Sequence, residues 1–202
     1  MLARILDLVF PVRDDERVVR ALPAEGLLRL MEPELVPLGE GESAAALLPY
    51  ADSRVRAAIH EAKYRGSERA FAMLAEALVE YLREENLKGA RLVPIPLGAK
   101  RRQERGYNQA EEVARRAGAA LGIPLETSLL SRTRETRSQV SLPKWRRRQN
   151  MKGAFAAAGP AEPRYLYIVV DDVLTTGATL LAAATALRAV GATKILAVAL
   201  AH

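Results

Sequence analysis

The feature that most narrows what this chain can fold into lies near its carboxyl end. An apolar, β-branched run, Tyr165-Leu166-Tyr167-Ile168-Val169-Val170, gives way to Asp171-Asp172-Val173-Leu174-Thr175-Thr176-Gly177-Ala178-Thr179. A helical pattern follows from Leu180 to Val190 and is closed by Gly191. A strand apolar at every position is buried on both faces, and such a strand leading straight into a helix is the first half of a β-α-β unit. Lys194 to Leu200 supplies the strand that completes it.

Earlier segments keep the same alternation. Val55, Ile59 and Ala62, then Phe71, Leu74, Ala75, Leu78 and Leu82, recur at helical spacing and predict two helices joined at Tyr64-Arg65-Gly66. His60 falls within the first of these patterns and reads as structural. Arg91 to Pro96 is a short buried strand stopped by its second proline, Asn108 to Leu121 is a helix closed by Gly122-Ile123-Pro124, and Leu125 to Leu130 reads as a further strand. Strands alternating with helices in this order predict an α/β fold with a mostly parallel, doubly wound sheet and helices on both faces. The first fifty residues carry Pro11, Pro23, Pro33, Pro37 and Pro49 among short apolar clusters, a density that breaks helices. They read as a small accessory lobe over residues 1–50, with the main domain over 51–202.

At 202 residues the chain has room for one sizeable core. No apolar run approaches the roughly 18 residues that span a bilayer, and charges interrupt the opening too early for a signal peptide, so the expected setting is the cytoplasm. There is no cysteine and only two histidines, His60 and His202, which removes thiolate nucleophiles and cysteine-ligated zinc and leaves histidine triads poorly supported. The formal charge is +6, and residues 101–150 alone hold twelve Arg or Lys against five Glu. So basic a block suits an anionic partner or a solvated surface.

The segment between the last apolar strand and its helix carries the chemistry. Ligands of open α/β sheets sit beyond the carboxyl ends of strands, where the next helix offers free N–H groups and the positive end of its dipole. Thr175, Thr176 and Thr179 add hydroxyl donors there, and Gly177 lets the backbone approach an oxyanion without a Cβ in the way. Val173 and Ala178 complete the cradle. Asp171 and Asp172 would repel a phosphate but accept hydrogen bonds from vicinal sugar hydroxyls, so carboxylate pair plus cradle reads as a ribose 5-phosphate site. By contrast, Gly39-Glu40-Gly41-Glu42-Ser43-Ala44 only imitates a dinucleotide fingerprint: Pro37 interrupts the strand before it, and its glutamates would repel a pyrophosphate.

The string from Tyr167 to Thr179 resembles the signature of the type I phosphoribosyltransferases, an apolar strand, two acidic residues and a Thr-Thr-Gly-x-Thr loop. More of the chain, from about Tyr50 onward, resembles the ComF branch of that superfamily, named for bacterial competence proteins. That likeness rests on Lys63-Tyr64-Arg65-Gly66, on Val93-Pro94-Ile95-Pro96 with Arg101 and Arg105-Gly106-Tyr107-Asn108-Gln109, and on Arg132 through Gln139, Leu142, Arg147, Asn150, Gly153 and Phe155. ComF proteins often begin with a four-cysteine zinc ribbon, which this chain lacks.

The resemblance implies a type I phosphoribosyltransferase fold that binds phosphoribosyl pyrophosphate and magnesium. Asp171 and Asp172 would be the catalytic carboxylates, with the ion carried mainly by ligand oxygens and helped by these two residues. The loop from Leu97 to Arg105 would bind pyrophosphate through Lys100 and Arg101, with Lys63 assisting. Ser131 to Lys152, including Arg132, Arg137, Gln139 and Arg147, would be a flap over the site. A role in natural transformation is implied too, with single-stranded DNA or competence proteins as partners. Lys144-Trp145-Arg146-Arg147-Arg148 sets one aromatic among cations, which suits single-stranded nucleic acid, although a lone tryptophan also serves simply to anchor a loop.

Overall fold

A computed structural model describes residues 13–133, 151 and 153–202. Its centre is a five-stranded sheet built from β1 (Glu34–Gly39), β2 (Glu42–Leu48), β3 (Ala90–Pro94), β6 (Leu166–Val173) and β7 (Lys194–Ala201), in the order β1-β2-β7-β6-β3. β1 and β2 pair antiparallel, while β2 with β7, β7 with β6, and β6 with β3 are parallel. The expected mostly parallel α/β architecture is what the chain adopts. A separate two-stranded antiparallel sheet pairs β4 (Leu130–Arg132) with β5 (Phe155–Ala157).

Helices cover both faces, and the period-two alternation of the strands assigns each residue to one of them. On one side Leu92, Ile168, Val170, Val198 and Leu200 pack against α1 (Asp14–Ala21), α2 (Ser53–Arg65), α3 (Glu68–Arg83) and α5 (Gln109–Leu121). On the other, Val93, Tyr167, Val169, Ala197 and Ala199 meet α6 (Ala178–Ala189) and the β4–β5 pair. α3 inserts Leu74, Leu78 and Leu82, all essentially fully buried, into the first layer. Truncating any one of them to alanine costs roughly 2–5 kcal/mol in such surroundings.

Four local outcomes differ from the sequence reading. Within the first fifty residues, β2 hydrogen-bonds in parallel to β7 and so extends the main sheet instead of standing apart from it. The Leu97–Arg105 loop contains a helix, α4 (Ala99–Arg105), because Ala, Lys, Arg, Gln and Glu are good helix formers and Gly106 closes the turn in the left-handed region. The strand expected over Leu125 to Leu130 shrinks to a single bridge from Leu125 to Leu92, with β4 starting only at Leu130. His60 lies on the outer side of α2, with Nδ1 3.1 Å from Asp15, because Ile59 and Ala62 take the inward positions. The Gly39–Gly41 stretch is the turn of the β1–β2 hairpin, with Glu40 at φ 56°, and not a phosphate loop.

Candidate functional site

β3 and β6 run parallel in register, Pro94 opposite Val170, so the chain leaves both at the same edge of the sheet. Ile95 extends the ladder by donating its N–H to Val170 O at 2.9 Å. Asn108, buried, donates its side-chain amide to Ile95 O at 2.9 Å while its Oδ1 caps α5 at the Ala110 N–H. One side chain thereby fixes the start of α5 against the end of β3. α5 delivers Gln109 to the carboxyl end of β6, where the strand continues through Asp171, Asp172 and Val173.

Alternation sends the two aspartates to opposite faces. Asp172 follows Ile168 and Val170 toward α2 and α5, where its Oδ2 lies 3.0 Å from Lys63 Nζ and accepts a hydrogen bond from Gln109 Nε2. Gln109 Oε1 in turn accepts from Arg105 Nη1 at 2.7 Å, and the Arg105 guanidinium lies 5.0 Å from the centroid of the Tyr64 ring. Since a carboxylate only accepts and a guanidinium only donates, the Gln109 amide has one workable orientation. Lys63, Asp172, Gln109, Arg105 and Tyr64 therefore close a circuit that returns to Lys63 through the backbone of α2. Burial works against the Lys63 charge, but the pairing with Asp172 outweighs it and raises the ammonium pKa above its ordinary value.

Asp171 follows Tyr167 and Val169 toward the other face. Its Oδ1 accepts the Asp172 N–H at 2.9 Å. Part of its surface reaches solvent, yet protein encloses it enough that desolvation, then repulsion from Asp172, pushes its carboxyl up to about 7. The Asp172 N–H, Lys63 and Arg132 oppose that shift. Arg132 ends β4 with its guanidinium 5.4 Å from the Phe155 ring centroid, and Thr133 ties the base of this sheet to Gly153 O at 2.8 Å.

Beyond Val173, half-buried opposite Ala201, the loop turns into α6. Thr175 is exposed, Thr176 and Thr179 are half-buried, and Gly177 and Ala178 are buried at the helix start. Gly177 sits at φ 72°, and a Cβ there would run into Leu38 Cδ2, so backbone conformation and close packing both favour glycine. The N–H groups of the first turn of α6 and the Thr175, Thr176 and Thr179 side chains thus follow directly on the acidic pair.

The structure brings Lys63, Asp171, Asp172, Arg132 and the Val173–Thr179 loop to one edge of the sheet. Lys100 stands exposed on α4, 3.9 Å from Glu104, and Arg101 is half-buried on the same helix. Arg137, Gln139, Arg147 and the Lys144–Arg148 run lie outside the described residues. The sequence offered Arg105, with Arg101 and Arg102, as a candidate for diphosphate contact and Gln109 only as a family marker, and it missed the place of both in the Asp172 circuit. The signal was available: a glutamine in the first turn of a helix, on its buried side, needs partners.

Strand, acidic pair and threonine-rich loop stand together at the carboxyl end of a mostly parallel α/β sheet, the arrangement that the likeness to the type I phosphoribosyltransferase signature leads one to expect. No family model matches the chain. Among curated proteins it is similar to the DNA utilization protein YhgH of Escherichia coli K12, 34% identical over 126 residues that make up 60% of this chain and 55% of that protein. It is also similar to competence protein F of Haemophilus influenzae, 37% identical over 106 residues, 52% of this chain and 46% of that one. The likeness to the ComF family read from the motifs is thus borne out, and the chain spans about half the length of the curated relatives it matches. Among solved structures it is similar to the glutamine phosphoribosylpyrophosphate amidotransferase of B. subtilis, 19% identical over 70% of this chain and 30% of that one at a TM-score of 0.44. The orotate phosphoribosyltransferase of Mycobacterium tuberculosis H37Rv is also 19% identical, over 92% of this chain and 82% of that one, at a TM-score of 0.39. No described helix is long and apolar enough to cross a membrane.

Proposed function

We propose that this protein binds phosphoribosyl pyrophosphate with magnesium at the carboxyl end of β6 and transfers its phosphoribosyl group to an acceptor, in a role connected with DNA uptake. The observation that carries this reading is the direct succession of the acidic pair and the Thr175–Thr179 cradle, with Gly177 held against Leu38. A 5-phosphate suits the N–H groups and hydroxyls of the cradle, and the ribose hydroxyls suit the adjacent carboxylates. The tie to DNA rests on the names of the relatives.

Among the described residues no group of three or more His, Cys, Asp or Glu side chains is placed to hold a metal ion. Two carboxylates, one already paired with Lys63, fit a magnesium ion that arrives on a diphosphate and keeps ligand and water oxygens, with Asp171 and Asp172 assisting. When bound, the ion neutralises charge on the departing diphosphate. In the transfer, the bond from C1 of the ribose to the diphosphate breaks and its electron pair leaves with the diphosphate. The acceptor's lone pair forms the new bond to C1. Asp171, with its carboxyl near 7, is ionised often enough at neutral pH to take the acceptor's proton and basic enough to hold it. Asp172, clamped by Lys63 and Gln109, orients the sugar.

The test is calorimetric titration of phosphoribosyl pyrophosphate, with and without magnesium, into wild type and into Asp171→Asn/Asp172→Asn. Magnesium-dependent binding that disappears in the double variant is the expected result. A wild-type protein that takes up none of the ligand overturns the reading.

A further inference from the structure

The circuit around Asp172 ends on an aromatic ring that the chemistry above does not use. Tyr64 is 57% exposed, and the other large hydrophobic side chain so exposed among the described residues, Leu35, is on edge strand β1. A single exposed aromatic is ordinary on a protein surface. The surroundings of Tyr64 are what set it apart. Arg105 lies over the ring, and that guanidinium is held by Gln109, whose other end is held by Asp172. The His60 ring meets Tyr64 at 88° with centroids 5.2 Å apart. Gly66 closes α2 two residues after Tyr64 at φ 62°, packed on the Tyr107 ring, whose hydroxyl donates to Ala62 O at 2.9 Å. The ring is thus fixed by its helix, by an arginine and by a histidine while most of it stays in solvent. Through Arg105 and Gln109 the ring is tied to Asp172, which sets it on the same side of the sheet as the Lys63–Asp172 pair.

We infer that Tyr64, backed by Arg105, is the platform on which the acceptor stacks, and that the acceptor presents a planar heteroaromatic ring, a free nucleobase or a base of a single strand. A rigid aromatic with a guanidinium behind it offers a π-face at low entropic cost, and base-on-aromatic stacking tolerates every base. The inference rests on the phosphoribosyl pyrophosphate reading for the role of the ring as acceptor, and its test separates the two.

Calorimetry on wild type, Tyr64→Ala and Tyr64→Phe would use three sets of probes: phosphoribosyl pyrophosphate with magnesium, the free bases adenine, guanine and uracil, and a ten-residue oligo-dT. Tyr64 is exposed, so both variants are expected to melt as wild type does, which a thermal scan checks. At least one ring probe should bind wild type, weaken about tenfold or more in Tyr64→Ala and change less than threefold in Tyr64→Phe. Tighter binding of a free base than of oligo-dT identifies a free nucleobase as the ring's source, and the reverse order identifies a single strand. Ring binding equal in wild type and Tyr64→Ala, or no ring binding to wild type, overturns the platform and leaves the phosphoribosyl pyrophosphate site standing. Ring binding that depends on Tyr64 in a protein that takes up no phosphoribosyl pyrophosphate keeps the platform and removes the acceptor role.

Discussion

Asp171 and Asp172 are adjacent in the chain and live in different electrostatic worlds. Asp172 turns toward the face covered by α2, α3 and α5, where a lysine and a glutamine meet its carboxylate. Asp171 turns toward the face of α6 and the β4–β5 pair, where Arg132 exerts some pull but burial and the neighbouring carboxylate prevail. One β-strand thus supplies a carboxylate held by a lysine and a glutamine and, beside it, a carboxyl whose charge is resisted. Acid–base sites need such a pair, and alternation along a strand delivers it without any loop having to fold specially.

Removing each partner should separate the two environments by sign. Asp172→Ala leaves the mostly buried Lys63 ammonium without its carboxylate, and a broken ion pair of this kind costs about 3 kcal/mol. Thermal denaturation should show Tm falling by roughly 6–12 °C, along with loss of phosphoribosyl pyrophosphate binding. An unchanged Tm would mean that the clamp is decorative. Gly177→Ala comes next. A β-carbon there meets a left-handed backbone and Leu38 together, for a loss of about 2 kcal/mol, read as a Tm lower by roughly 4–8 °C and a weakened affinity for inorganic phosphate.

Gln109→Ala removes the bridge between Arg105 and Asp172 and should cost about 1–2 kcal/mol in a urea titration. Gln109→Glu, which sets a second carboxylate against Asp172, should be worse than alanine. The reverse ranking would show that Arg105, and not Asp172, governs this contact.

The remaining effect has the opposite direction. Because the folded-state pKa of Asp171 is raised from 3.8 to about 7, the folded protein binds more protons than the unfolded chain between those values. Wild-type stability therefore declines as pH rises through that window. Asp171→Asn should match wild type below about pH 4, and its advantage should grow toward pH 7 and level off above. At pH 8 the variant should melt above wild type, even as transfer activity is lost. An Asp171→Asn protein less stable than wild type at pH 8 would erase the contrast between the two residues.

Much of this was legible in the sequence because local periodicity carries it. The run from Leu166 to Val170 could only be a buried strand, and the Gly177 cradle announced itself by composition. The alternation of strands and helices gave the mostly parallel sheet. Other features had no local signature. β2 joins the sheet beside β7 through partners more than 150 residues away, and no periodicity within 34–48 says which edge it will find. α4 formed where basic residues had suggested a loop, since helix propensity and a glycine cap outweighed charge. The motifs Lys63–Gly66 and Arg105–Gln109 were each visible as strings, but their convergence on Asp172 was not.

The sequence by itself determined the chemistry on offer: two carboxylates, a glycine- and threonine-rich cradle, a basic middle and no cysteine. It also determined the strand and helix that present the cradle, because hydrophobic periodicity and turn residues act over a few neighbours. Only the tertiary structure decided what each carboxylate faces. Asp172 found Lys63 and Gln109, and Asp171 rose toward neutrality, because a charge's energy depends on every group within several ångströms and on how much water is excluded. Those quantities belong to the packed molecule and not to any stretch of its chain.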